Sequence, residues 1–213
     1  MSAPGGTNAV QLLLLVGGLT LIPALLFCVT AFTRIIIVLG FIRTGLGTPT
    51  APPNQVLVGI ALFLTIFVMF PTFTKIKDEA IVPLQKHKIT QEQAFKRAEA
   101  PMREFMFDQT RTKDLALFAK LGHVEHPKTR ADIPTHVLIP AFIISELKTA
   151  FQIGFLIFLP FLIIDIVVGA TLMSMGMVML PPVFISLPFK ILLFVLVDGW
   201  NLVTRSLVES FHV

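Results

Sequence analysis

The residues best able to do chemistry are charged side chains set inside otherwise apolar sequence. Glu146, Lys148, Asp165, Lys190, Asp198 and Arg205 all interrupt hydrophobic stretches after Pro134. An ionised group at the centre of a bilayer costs at least about 2.5–3.5 kcal/mol, so each needs an interface, water or a partner. Only 16 uncharged residues separate Lys148 from Asp165, fewer than the roughly 17–25 of a membrane span. A helix crossing here takes in Glu146 and Lys148, or Asp165. Residues two apart on a helix point away from each other, so Glu146 and Lys148 do not neutralise one another. Their partners come from another helix or another subunit, and Glu146 with Lys190 has the right signs. Arg34 and Arg205 suit snorkelling to an interface. The competing chemistry is an ion or proton relay through Glu146, Lys148, Asp165 and Asp198.

A second pattern is Met173, Met175, Met177 and Met179, spaced every second residue. That spacing scatters side chains around a helix but aligns them on an extended segment. Gly176 and the Pro181-Pro182 pair favour a loop for the later half. Unbranched, polarizable methionine repacks around irregular contents, so a ring of such loops would close an apolar constriction and still deform. The alternative is ordinary core or lipid-facing methionine. His123-Val-Glu-His126 lacks the i,i+4 spacing of a helical zinc motif and a third ligand, and reads as a solvated turn. No HExxH, GxSxG or phosphate-binding glycine loop occurs, and Asp198-Gly-Trp200 has no catalytic companion. Nothing here points to an enzyme, a cofactor or a metal.

The elements that position these residues are apolar. Of 213 residues 54% are hydrophobic and 14% charged, against about 25% charged in soluble domains, and the mean hydropathy is +0.83. Val10–Thr33, Thr44–Thr74 and Ile166–Phe189 carry no charge. The chain is therefore expected to be all-α, a polytopic membrane protein of kinked helical hairpins with a small helical extramembrane domain. Residues 1–74 hold two spans, Val10–Leu39 and Val56–Phe73, around a Gly/Pro loop at 44–55. Residues 75–133 form the soluble domain, with a helix start at Thr90-Gln-Glu-Gln93 and amphipathic helices over Pro101–Leu121. A segment of that size buries a thin core and needs outside support. Residues 134–213 hold helical stretches at Val137–Met173 and Val183–Ser210, joined by the Met-rich loop 173–182.

The net charge of +4 is no nucleic-acid signal. Between Lys75 and Asp132 lie 12 of the 17 Lys and Arg together with nine of the 13 Asp and Glu, a mixed, solvated segment. The lone Cys28 sets no disulfide framework. Met1-Ser-Ala-Pro-Gly-Gly lacks the cationic start of a signal peptide, so the first apolar run reads as a retained span. Charge leaves the topology open. A count over the whole chain puts 75–132 in the cytoplasm, whereas Arg34 and Arg43 flanking the short loop place that loop inside and 75–132 outside.

Several long motifs then narrow the field. Thr33-Arg-Ile-Ile-Ile-Val38, Gly47-Thr-Pro-Thr-Ala-Pro-Pro-Asn-Gln-Val56, Arg103-Glu-Phe-Met106, Gln109-Thr-Arg111, Ser145-Glu-Leu-Lys-Thr-Ala-Phe-Gln-Ile-Gly154, Pro160-Phe-Leu-Ile-Ile-Asp165 and Leu187-Pro-Phe-Lys-Ile-Leu-Leu-Phe-Val-Leu-Val-Asp-Gly-Trp200 resemble the FliP family of flagellar export-gate subunits. The resemblance covers nearly the whole chain. It implies a non-enzymatic pore subunit in the bacterial inner membrane, at the centre of the flagellar basal body, conducting unfolded flagellar proteins. It implies a homo-oligomer of about five copies, joined by FliQ and FliR and associated with FlhB, with 75–133 periplasmic. Glu146 and Lys190 would then form salt bridges within the assembly, and Phe105 and Phe118 would pack subunits together. Met175, Met177, Val178 and Met179 would form a gasket, with stiff Val178 in place of a usual methionine. The family usually begins with a cleaved signal, which is not seen here. Homologous subunits of virulence type III secretion systems are the nearest alternative; an ion-coupled transporter and a membrane scaffold without a conduit are more distant ones.

Overall fold

The computed structural model of the chain describes residues 17, 27–124, 127, 129–177 and 179–211, and every element longer than a turn among them is helical. Helix α1 (Phe32–Leu46) closes on Gly47, whose left-handed φ of 76° lets its N–H reach the Thr44 carbonyl at 3.0 Å. The Pro-rich loop that follows cannot continue a helix, and α2 (Asn54–Ile76) starts directly after Pro53. It runs through a π-helical turn, Lys77–Ile81, into α3 (Val82–Gln85). Helix α4 (Gln91–Gln109) opens where the sequence places a start: the Thr90 hydroxyl accepts from the Gln93 N–H, and the Gln93 side chain accepts from the Thr90 N–H. Helix α5 (Thr112–Leu121) and a short 3-10 turn, Arg130–Asp132, lead into α6 (Thr135–Ser174).

Helix α6 is 40 residues long and passes through Pro140 and Pro160 without ending. Its end is set by Gly176, left-handed at φ 76°. The Gly176 N–H bonds to the Met173 carbonyl and the Met177 N–H to the Leu172 carbonyl, at 3.0 and 2.9 Å, the Schellman pattern that satisfies the last carbonyls of a helix. Pro181 and Pro182 then open α7 (Pro182–Leu196). The sequence reads as one helix over Val183–Ser210, but α7 and α8 (Gly199–Glu209) meet at 65°. Asp198 sits left-handed at φ 51°, a conformation Asp tolerates better than most residues. A Cβ on Gly199 would lie 2.3 Å from the Phe194 ring, so glycine is required at the corner.

Among the described residues two stretches, Asn54–Gln85 and Thr135–Ser174, are long and apolar enough to cross a membrane; α7 with α8 makes a third only if the bent pair counts as one. At about 1.5 Å per residue α6 extends roughly 60 Å, twice the ~30 Å hydrocarbon core. Its excess length carries the charged segment. Met106, Phe107, Ala119 and Ile133 bury against Val137, Leu138 and Phe142 at the start of α6. The segment 75–133 thus borrows part of its core from α6. A second core joins α1, α2, α6 and α7, through Ile35, Val38, Leu39, Ile42, Leu57, Ala61, Val68, Phe161 and Phe194. Of the expected first span, Val10–Leu39, residues 10–16 and 18–26 lie outside the described residues.

The α1–α6 crossing depends on one absent side chain. A Cβ on Gly154 would come within 2.4–3.0 Å of the Phe41 ring, and Phe41 is held edge-on by Phe151 at 5.4 Å. Gly154→Val is expected to destabilise the detergent-solubilised chain by about 1–3 kcal/mol. Gly59→Ala, with nothing within 4 Å, is expected to cause no loss. Equal melting temperatures for the two variants would contradict this account of the crossing.

Candidate functional site

Arg34, near the start of α1, is the most densely bonded side chain among the described residues. It is only 2% exposed, and Glu146 on α6 is 0% exposed. Arg34 donates from Nε to Glu146 Oε2 at 2.9 Å and from Nη2 to Glu146 Oε1. This is the bidentate fork that guanidinium and carboxylate planes favour. Nη2 also donates to Gln109 Oε1 at 3.1 Å, at the end of α4, and Nη1 to the Ser210 carbonyl at 2.7 Å. One residue earlier on α6, Ser145 accepts from the Arg111 N–H at 3.1 Å and donates to Asp114 at 2.8 Å. Ser145-Glu146 therefore ties α1 and the α4–α5 connection to one turn of α6, and through Arg34 the segment after α8 joins them. Every buried side-chain nitrogen and oxygen among the described residues has a partner, as a low-dielectric interior demands.

A second pair lies between α6 and α7. Lys190 Nζ reaches Asp165 Oδ2 at 2.6 Å, and Ser186 donates to Asp165 Oδ1 at 2.5 Å. Lys190 is buried and Asp165 about a quarter exposed. The loop after α1 closes over this pair, since a Cβ on Gly47 would lie 3.6 Å from Lys190 Nζ.

The charges singled out in the sequence thus fall into three groups. Glu146 and Lys190 are buried and paired, but not with each other: Arg34 occupies both Glu146 oxygens and Asp165 takes Lys190. The reason is placement, because each has an opposite charge on the neighbouring helix. Arg34, expected at an interface, is instead buried; its signal was a charge inside an apolar run, the same signal that marked Glu146. Lys148 and Asp198 are exposed and form no ion pair among the described residues. Arg205 is exposed and paired with Glu209 one turn on.

Phe105 lies between Phe142 and Phe211 of the same chain, with ring centroids 5.9 and 6.4 Å away. Phe118 packs against the smaller core, half-buried. Met175, Met177 and Met179 are 67%, 40% and 97% exposed at the turn joining α6 to α7; Val178 lies outside the described residues, as do Glu125 and His126. Among the described residues no three His, Cys, Asp or Glu side chains converge as a metal site would need.

Long apolar helices, bent hairpins and buried ion pairs between them define an all-α, polytopic membrane protein. The profile of the FliP family matches residues 15–207, and the chain belongs to that family. It is 58% identical over 205 residues to the flagellar biosynthetic protein FliP of Bacillus subtilis (strain 168), covering 96% of this chain and 93% of that one. It is 56% identical to the protein of the same name from Pectobacterium carotovorum, over 97% of this chain and 80% of that one. The FliP of Buchnera aphidicola from Acyrthosiphon pisum is also 56% identical, over 95% of this chain and 54% of its own length.

Removing one member of a buried ion pair strands the other charge. Arg34→Ala is expected to cost about 3–5 kcal/mol, read as a loss of thermal stability in detergent. Arg34→Met combined with Glu146→Leu is expected to recover much of that loss, because neither charge remains to be desolvated. A double variant no more stable than Arg34→Ala would show that the stranded Glu146 charge is not the source of the loss.

Proposed function

We propose that this chain is a pore-forming subunit of the flagellar type III export gate, a non-enzymatic conduit for unfolded flagellar proteins across the bacterial inner membrane. Membership of the FliP family supports the coarse reading, a component of the flagellar export apparatus. The finer reading rests on one observation above all: Met175, Met177 and Met179 stand exposed at the tip of the α6–α7 hairpin. Flexible thioether side chains on a turn bounded by Gly176 and Pro181 suit a seal that must yield to a passing chain and close behind it.

A single chain cannot enclose a pore, so the reading requires a closed ring of copies. The outward faces of α2 and α7 suit such contacts or lipid. Phe63, Phe67 and Phe70 are 77%, 64% and 65% exposed on one side of α2, and Phe184, Leu192 and Leu196 are 74%, 56% and 74% exposed on α7. The chain would assemble with FliQ and FliR and associate with FlhB at the flagellar basal body. Phe118, half-buried, keeps an edge available to a neighbour. Phe105 would act less directly, by shaping the core beneath such a contact. Glu146 and Lys190 would serve assembly by fixing α6 against α1 and α7 in the geometry a neighbour meets.

Two experiments test this. Replacing Met177, Val178 and Met179 together by alanine is expected to raise ion leakage through the assembled complex while its composition stays unchanged. An intact complex with unaltered leak would remove the seal from the reading. The second concerns sidedness. Phe95 is 73% exposed on α4, and Phe95→Cys in a Cys28→Ala background is expected to react with a membrane-impermeant maleimide added outside spheroplasts. Labelling only after lysis would place residues 75–133 in the cytoplasm.

A further inference from the structure

The first two residues after α8, Ser210 and Phe211, are held more like a bound peptide than like a frayed helix end. A guanidinium has five N–H donors in a fixed fork, and Arg34 directs all five at acceptors. Two go to Glu146, one to Gln109, and two from Nη1 to Ser210: the carbonyl at 2.7 Å and the hydroxyl at 2.9 Å. The Ser210 hydroxyl gives its own proton to the Leu207 carbonyl at 2.7 Å, which leaves it an acceptor toward Arg34. The Gln109 amide donates to the Phe211 carbonyl at 3.0 Å. The Phe211 ring covers the guanidinium, 3.8 Å from the Arg34 carbon to the ring centroid, and stacks against Phe105 on α4. Phe211 is 2% exposed. Both carbonyls, the hydroxyl and the ring of this dipeptide are therefore specifically engaged.

The charge arithmetic separates this contact from the ion pair. Glu146 alone neutralises Arg34, and Ser210 and Phe211 carry no side-chain charge. The dipeptide can leave without stranding a buried charge, at the cost of hydrogen bonds and an aromatic cover that water can partly replace. We propose that Ser210–Phe211 is a releasable strap, seated in a site made by Arg34, Gln109 and Phe105, that holds α4 of the charged segment onto the apolar helices. Phe211 also walls an open cleft of about 340 Å³, which Val68 and Lys75 on α2 line together with Glu104 and Asp108 on α4. Release of the strap widens that cleft and frees the Gln109 amide N–H from the Phe211 carbonyl, so the end of α4 keeps its Arg34 bond and loses its tie to the segment after α8.

Hydrogen–deuterium exchange of the full chain, purified in mild detergent with the subunits that accompany it, tests this. Phe211→Ala removes the cover without touching a charge. The peptide spanning 203–211 is expected to exchange about ten-fold faster or more, while peptides within 32–46 and 140–154 keep wild-type protection. The charge swap Arg34→Glu with Glu146→Arg is expected to give the same pattern, since a carboxylate at position 34 cannot donate to Ser210. Wild-type protection of 203–211 in Phe211→Ala would overturn the proposal. So would equal loss of protection across α1, α6 and 203–211 in that variant, because the dipeptide would then be inseparable from the core. If the swap fails to fold, Phe211→Ala decides alone.

Discussion

The arrangement of this chain depends on one charged group that cannot be left alone. A guanidinium buried to 2% exposure must have its charge balanced and its donors filled, or the helices around it separate to let in water. Glu146 balances the charge, and Glu146, Gln109 and Ser210 fill the donors. Those partners come from α6, the end of α4 and the segment after α8. Satisfying Arg34 therefore fixes four separate parts of the chain at one point. Apolar packing, as at Gly154 against Phe41, sets how α1 crosses α6, and the bidentate fork fixes the orientation of the two charged side chains within that crossing.

Around that point the fold divides its labour by length. Helix α6 is about twice as long as a bilayer core is thick, so one rigid element serves both the apolar helices and the charged segment. Its first turns supply Val137, Leu138 and Phe142 to the core of α4 and α5. Its later part pairs Asp165 with Lys190 on α7 and ends in a Gly176 cap that presents the methionines. Helix α7 is only 15 residues, roughly 22 Å, shorter than a bilayer core is thick.

Several features were legible because they are local. The shortage of charge and the long uncharged runs fixed the membrane class. Thr90 and Gln93 announced the start of α4 through their capping chemistry. Gly176 and Pro181-Pro182 marked the turn between α6 and α7. The corner at Asp198-Gly199 was also written locally, as an Asp-Gly turn dipeptide, yet continuous hydrophobicity on both sides concealed it. Only the contact of Gly199 with the Phe194 ring makes plain why that corner has no room for a side chain.

Taken alone, the sequence determined that Glu146 and Lys190 each needed a partner, since desolvating an unpaired charge is too costly whatever the fold. It did not determine which partner. Arg34 and Glu146 are 112 residues apart, and Arg34 and Ser210 are 176 apart; no periodicity or motif spacing reaches that far. Which opposite charge lies within hydrogen-bond range follows from how α1 and α7 cross α6, and close approaches such as Gly154 against Phe41 set those crossings. The need for pairing is thus a property of composition, and the choice of pair is a property of packing.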